Sequence, residues 1–244
     1  MDEPGYYDMF LNPGERYFAR LYLHHIRKFL PQGEHLRILD AGCQTGRLSI
    51  PLALDGHAVT GVDTSPLALH RCRRHAQENK ASLELIRADL GQWLPRCETG
   101  RFDAVICSEV LYLRQNHRVL LKELLRTLKP GGLCFISHRP TGYYLAEAFQ
   151  RKDRDAIRLL LSASEGKLFG SYYNWQDREE LERMYAQANM EVLEIAPIGF
   201  LSWLGVAPDA LSEEEQELLF QADTHPRSRG DCSGRYLLVC GRKR

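Results

Sequence analysis

Several apolar segments of this 244-residue chain end in residues able to do chemistry. The run Ile38-Leu39 passes through Asp40 and Ala41 into Gly42-Cys43-Gln44-Thr45-Gly46, a turn with glycines at both ends and an acid just before it. Glycine suits such a turn because the backbone must reverse sharply and approach a ligand with no Cβ in the way. Asp63 closes the run His57 to Val62, and Ala88-Asp89 follows Leu83 to Ile86. Ser108-Glu109 follows Phe102 to Cys107, and His138 follows Leu133 to Ser137. His138 is apt as a general base because an unperturbed imidazole titrates near neutrality, and Glu109 is the second candidate. A dinucleotide-binding turn would call for G-x-G-x-x-G, whereas only Gly42 and Gly46 are present, which argues against a pyrophosphate ligand. No metal site is expected. His24 and His25 are adjacent, His70 and His75 are five apart, and the seven cysteines include no C-x-x-C pair.

These residues need elements to position them. Helical spacing of Tyr17, Phe18, Leu21, Ile26 and Leu30 predicts a first helix over Glu15 to Leu30, stopped by Pro31-Gln32-Gly33. Short apolar strands then alternate with helices expected at Arg47 to Leu54, Ser65 to Glu78 and Asn116 to Leu128. Thr64-Ser65-Pro66 supplies an N-cap and a first-turn proline for the middle one. Such alternation predicts a doubly wound α/β fold with a parallel sheet covered on both faces, and ligands in such sheets bind beyond the carboxyl ends of the strands. After Pro140 the alternation lapses. A helix is expected from Tyr143 to Leu161, followed by the aromatic cluster Tyr172-Tyr173-Asn174-Trp175. It resumes with a helix from Asp177 to Ala188 and a strand from Glu191 to Ala196, and after an acidic helix (Ser212 to Ala222) the last strand runs from Arg235 to Cys240.

Composition narrows the class. The chain has 32 Lys+Arg against 32 Asp+Glu, which disfavours a grip on long stretches of phosphate backbone, so nucleic acid is not the expected partner. Cys43, Cys72, Cys97, Cys107, Cys134, Cys232 and Cys240 are scattered and odd in number, as expected of reduced core residues. Met1-Asp2-Glu3-Pro4 is acidic, without an apolar leader, and there is no uninterrupted apolar run of membrane-spanning length. The expectation is a soluble, cytoplasmic, single-domain protein.

Taken in order, these motifs resemble the class I S-adenosyl-L-methionine-dependent methyltransferases. The resemblance rests on D-x-G-x-x-x-G at Asp40 to Gly46, the acid Asp63, Ala88-Asp89, FDAVICSEVLYL at Phe102 to Leu113, and Leu128-Lys129-Pro130-Gly131-Gly132. It implies a Rossmann-like, mostly parallel seven-stranded sheet with the last strand antiparallel and a lid insertion after the fifth strand. The expected organisation is an N-terminal helical flap (1–35), a cofactor core (36–140), the lid (141–176) and the C-terminal part of the sheet (177–244). S-adenosyl-L-methionine is the implied cofactor.

Within that resemblance Asp63 would accept hydrogen bonds from both ribose hydroxyls, a bidentate task suited to a carboxylate. Asp89 and the Leu90 amide would recognise adenine, and Asp40 would orient the turn and the ligand's amino end. Gly42, Cys43, Gly46, Thr64 and Ser108 would complete the wall, with Gln44 standing where many members have glycine. Tyr112, Tyr172, Tyr173 and Trp175 are the expected acceptor contacts, and Tyr6 and Tyr7 a flap over the cofactor. Cys107-Ser108-Glu109-Val110 lacks the Pro-Pro-aromatic element of enzymes that methylate planar amines, and no Pro-Cys pair of cytosine-C5 enzymes is present. The leading expectation is therefore methyl transfer to an oxygen or nitrogen of a small molecule. The same fold also serves RNA or protein acceptors, or a cofactor-binding module without turnover.

Overall fold

The computed structural model describes residues 7–225 and 234–244. Strand β1 (Arg37–Ala41) is followed by α2 (Ser49–Leu54), β2 (Ala58–Asp63), α3 (Pro66–Glu78), β3 (Glu84–Arg87) and α4 (Leu90–Trp93). Then come β4 (Phe102–Cys107), α5 (His117–Arg126) and β5 (Leu128–His138). Helix α1 (Pro13–Phe29) precedes them all. Among the described residues the main sheet has 7 strands in the order β3-β2-β1-β4-β5-β9-β8, with β8 (Met190–Ile198) and β9 (Tyr236–Lys243) at one edge. β1 to β5 pair in parallel, while β9 runs antiparallel to both its neighbours. The chain direction across the sheet reverses between β1 and β4, so the crevice for a ligand lies at their carboxyl ends.

Strand alternation sorts the core into two layers. Ile38, Val59, Ala104, Ile106 and Phe135 face α1, where Tyr17, Phe18, Leu21, Tyr22 and Ile26 are buried. Their neighbours Leu39, Val62, Val105, Cys107, Cys134 and Ile136 face α5 and α8 (Arg178–Gln187), represented by Leu121, Leu124, Leu181 and Tyr185. The apolar stripe of α1 packs on the Ile38 face of the sheet beside Leu52 of α2, with Leu219 in the same layer. Cys43, Cys72, Cys97, Cys107, Cys134 and Cys240 are buried, and Cys232 lies outside the described residues.

The expected helix over Tyr143 to Leu161 is two: α6 (Thr141–Gln150) and α7 (Arg154–Ser162). Lys152 turns at φ +56°, and the Asp153 side chain accepts from Ala156 N at 3.0 Å, so a local cap ends one helix and starts the next. A hairpin follows, β6 (Glu165–Leu168) and β7 (Ser171–Asn174), reversing at Phe169-Gly170 where both φ are positive (+52° and +87°). Tyr144, Ala148, Leu160, Leu168 and Trp175 give this insertion a small core of its own. Strand β5 begins earlier than its apolar run suggests, because Leu128 pairs with Phe102 before the register shifts. α9 (Phe200–Trp203) and α10 (Glu213–Thr224) precede the last strand. No helix among the described residues is long and apolar enough to cross a membrane.

Candidate cofactor and acceptor site

The turn after β1 is held to β2 by its backbone: Gly42 N donates to Val62 O at 2.8 Å and Cys43 N to the same oxygen at 3.2 Å. Gly42 lies at φ +88°, and a Cβ there would meet Val110 Cγ2 at 2.4 Å. Gln44 takes φ +47°, the left-handed conformation a glycine would adopt more readily. Its backbone N donates to Asp63 Oδ2 at 3.0 Å, while its side-chain Oε1 accepts from Thr45 N at 2.7 Å. Asp63 Oδ1 accepts from Ser65 N at 2.8 Å, so this carboxylate is fixed from both sides at the end of β2. Each oxygen keeps a further lone pair.

Asp40 is 2% exposed and accepts from the Ser49 hydroxyl. Burial lifts its pKa to about 6, restrained by that hydrogen bond and by the charge of Arg47. Asp89 caps α4 through Gly91 N (2.8 Å) and meets Arg114 Nη2 at 2.7 Å, which holds its carboxyl below the usual range. These groups surround a cleft of about 330 Å³ at the carboxyl ends of β1, β2, β3 and β4. Of the residues expected in the cofactor wall, Asp40, Gly42, Cys43, Asp63, Thr64, Asp89, Leu90 and Ser108 line it. Gly46 does not. It faces the core, where a Cβ would meet Cys72 Sγ at 2.6 Å and Ile50 Cδ1 at 2.9 Å, so its glycine serves packing.

Met9 reaches the cleft wall from the N-terminal segment. That segment is anchored behind the site: Phe10 N donates to Thr45 Oγ1 at 3.0 Å, and Asp8 meets His75 Nε2 at 2.9 Å. Tyr7, expected over the cofactor, is 54% exposed and turns its hydroxyl to Glu15 at 2.7 Å. Tyr6 lies outside the described residues. Arg71, on α3, is buried and 3.6 Å from Asp8.

The base candidates fare differently from expectation. His138 is 1% exposed, with Nδ1 3.2 Å from Gln176 Oε1 and Nε2 2.9 Å from the Tyr185 hydroxyl. Burial lowers its pKa to about 3. Alternation along β5 sends it to the α8 face with Ile136, away from the cleft, so it is not a base for this site. His138→Gln is expected to leave the pH profile of turnover unchanged while lowering the melting temperature. A profile that loses an ionisation in this variant would restore His138 to the chemistry.

Glu109 does line the cleft, at φ +62°, with its backbone N donating to Ser137 Oγ at 2.7 Å. Its carboxylate is committed, however: Arg47 Nη2 lies 2.5 Å from Oε1 and the Tyr236 hydroxyl donates to Oε2 at 2.6 Å. Burial would raise its pKa, but the charge of Arg47 and these bonds hold it below the usual carboxylate range. A carboxylate so stabilised is a poor proton acceptor and acts as an anchor instead. Arg47 also pairs with Glu15, which ties α1 to the site.

Of the expected acceptor contacts, Tyr112 lines the cleft and the other three do not. Trp175 is 1% exposed in the insertion core, donating through Nε1 to Ala163 O at 2.7 Å. Tyr173 packs on Tyr144 with ring centroids 5.1 Å apart, and the Tyr172 hydroxyl is bound to Glu165. Asn174 of the same cluster instead docks the hairpin beside the site, donating to Leu111 O at 2.8 Å. Arg47, Arg114 and Val110 line the cleft without having been expected there.

The arrangement is that of a class I methyltransferase fold: a cleft at the strand-order reversal, walled by Asp40, Asp63, Asp89 and Glu109. Residues 38–132 match the methyltransferase domain family. Among curated proteins, the ubiquinone biosynthesis O-methyltransferase of Xanthomonas oryzae pv. oryzae (strain PXO99A) is 34% identical over 113 residues, covering 45% of this chain and 47% of that protein. The protein of the same name from Methylocella silvestris is 38% identical over 106 residues, covering 42% and 39%. The chain thus spans about half the length of the curated relatives it matches.

Solved structures share the fold over more of the chain. An S-adenosylmethionine dependent methyltransferase from Mesorhizobium loti has a TM-score of 0.64 at 21% identity, covering 90% of this chain and 96% of that one. The magnesium protoporphyrin IX methyltransferase of Synechocystis PCC 6803, solved with bound S-adenosylhomocysteine, has a TM-score of 0.63 at 15% identity, covering 99% and 90%.

The residues present fit S-adenosyl-L-methionine, the cofactor of this domain class. The backbone at Gly42 passes where a side chain would collide with Val110, and Asp63 offers two spare acceptor sites for a diol. The acids lining the cleft suit a sulfonium cation better than a polyphosphate.

Proposed function

We propose that this protein transfers a methyl group from S-adenosyl-L-methionine to an oxygen or nitrogen of a small-molecule acceptor. The observation that carries the reading is the cleft itself, where Asp63, fixed by two backbone amides, faces the same space as Asp40, Asp89 and the Gly42 turn. The relatives named as O-methyltransferases favour oxygen over nitrogen.

S-adenosyl-L-methionine supplies a methyl group already activated by its sulfonium. What remains for the chain is to bind, align and exclude water, which accounts for most of the acceleration such a transfer needs. Asp63 would hold the ribose hydroxyls, Asp89 and the Leu90 amide the adenine edge, and Asp40 with the Gly42 backbone the amino-acid end. Met9, Val110 and Tyr112 present apolar surface to the same cleft and limit water there. Glu109, pinned by Arg47 and Tyr236, keeps the acceptor side of the wall rigid and negative rather than taking a proton. An acceptor hydroxyl would release its proton to solvent or bind already ionised.

The test is incubation with methyl-labelled S-adenosyl-L-methionine and three separate pools: small phenols, acids and amines, total RNA, and cell protein. Label is expected in the small-molecule pool. Label confined to RNA or protein would overturn the acceptor class.

A further inference from the structure

Arg139, the residue after β5, is a buried cation whose direct partners are all neutral. It is 6% exposed, and its Nη atoms donate to Arg235 O at 3.2 Å, to the Tyr112 hydroxyl at 3.3 Å and to the Tyr236 hydroxyl at 2.9 Å. Nε is buried without a hydrogen bond, and among the described residues no ion pair involves this side chain. Its guanidinium carbon lies 4.0 Å from the ring centres of Tyr143 and Tyr236 and 4.7 Å from that of Tyr112. The Tyr144 hydroxyl beside this cage is also buried without a partner. Glu109 is one hydroxyl away, through Tyr236, but its carboxylate is already bound by Arg47.

The cage stands between two spaces. Tyr112 is shared with the cofactor cleft, and Tyr143 with a second cavity of about 620 Å³ between α6 and α9. Arg235 and Arg151 line that second cavity, and the acid there, Glu147, is paired with Arg151 at 2.6 Å. Tyr143 and Tyr112, one from each space, cover the guanidinium, which itself lines neither.

Resting on the methyltransferase reading, we propose that the methyl acceptor carries a carboxylate, which pairs with Arg139 inside the cage of Tyr112, Tyr143 and Tyr236. A cationic acceptor would be repelled here, and a neutral one would leave the guanidinium with only the indirect charge of Glu109 across the Tyr236 hydroxyl. A single planar guanidinium matches a carboxylate in a two-pronged contact. The tyrosine faces suit both the guanidinium and a flat acceptor body stacked beside it. Arg139 is thereby a specificity-determining residue, and the insertion contributes through Tyr143 and Tyr144 rather than through Trp175.

The test uses the full chain saturated with S-adenosyl-L-homocysteine and titrated by calorimetry with benzoate and with benzamide, a neutral molecule of the same shape. Benzoate is expected to bind at least tenfold tighter. In R139M that preference is expected to vanish while homocysteine-analogue affinity and cooperative melting persist, and in R139K a weakened preference should remain. Equal binding of the two probes to the wild-type protein, or a preference surviving in R139M, overturns the proposal. Should R139M not fold, the wild-type ratio and R139K decide it. Failure of the wild-type protein to bind S-adenosyl-L-homocysteine would instead overturn the methyltransferase reading beneath it.

Discussion

Arg47→Met is expected to destabilise the protein by about 3–5 kcal/mol, the cost of stranding buried charge when one partner of a buried pair is removed. The Arg47 side chain is 5% exposed and bridges Glu15 and Glu109, each 12% exposed. Without the guanidinium, Glu109 would keep only the Tyr236 hydroxyl and Glu15 only that of Tyr7. Methionine fills the space but supplies no donor. The effect depends on pH with a defined sign. In the wild type Glu109 has a lowered pKa, so its contribution is fully present above the unfolded value and fades as pH falls through the folded one. In the variant, burial without the cation raises that pKa, so stability should recover as the pH drops and the two proteins should converge in acid. Chemical denaturation at neutral and acidic pH reads both. A loss below about 1 kcal/mol at neutral pH, the scale of an exposed pair, would mean that the triad is solvated.

Asp63→Ala should cost cofactor affinity about 1.5–3 kcal/mol, roughly ten- to a hundredfold, the scale of hydrogen bonds to a charged group. The loss has two sources: the ribose hydroxyls lose their acceptor, and the amides of Gln44 and Ser65 lose the carboxylate that fixes the turn. Asp63→Asn separates them, since it keeps one oxygen acceptor but no charge, and an intermediate loss is expected. Titration with S-adenosyl-L-homocysteine, with melting of the ligand-free variants as a control on the turn, checks this. Unchanged affinity in a folded Asp63→Ala protein would remove the residue from the ribose site.

What was legible in the sequence was local. Ser65 caps α3 through Ala68 N, as its place before Pro66 suggests, and β4 spans Phe102–Cys107 as its apolar run does. The acids at strand ends surround one cleft because a parallel sheet delivers all those ends to one rim. The expectation that His138 faces the cleft failed on a rule that was available. Phe135 packs toward α1 and Ile136 toward α8, so with side chains alternating every residue, Arg139 belongs to the layer of Phe135 and His138 to the other. The chemical aptness of histidine drew attention to the wrong face.

Other features could not be read locally. Arg47 takes its partners from 32 and 62 positions away, and Arg139 meets Tyr236 97 positions away. In the aromatic cluster, composition alone does not say that Trp175 fills the insertion core while Asn174 docks the hairpin. Gly46 and Gly42 look equivalent in the motif, and only the packing of Cys72 and Ile50 tells the core glycine from the cleft glycine.

The central claim is that the cleft between the Gly42 turn and Asp89 holds S-adenosyl-L-methionine with its ribose on Asp63. A crystal structure of the complex with S-adenosyl-L-homocysteine tests it most directly. Both ribose hydroxyls are expected within hydrogen-bond distance of the Asp63 carboxylate, with the adenine beside Asp89 and Leu90. A ligand bound elsewhere, or bound in this cleft with no contact to Asp63, would contradict it.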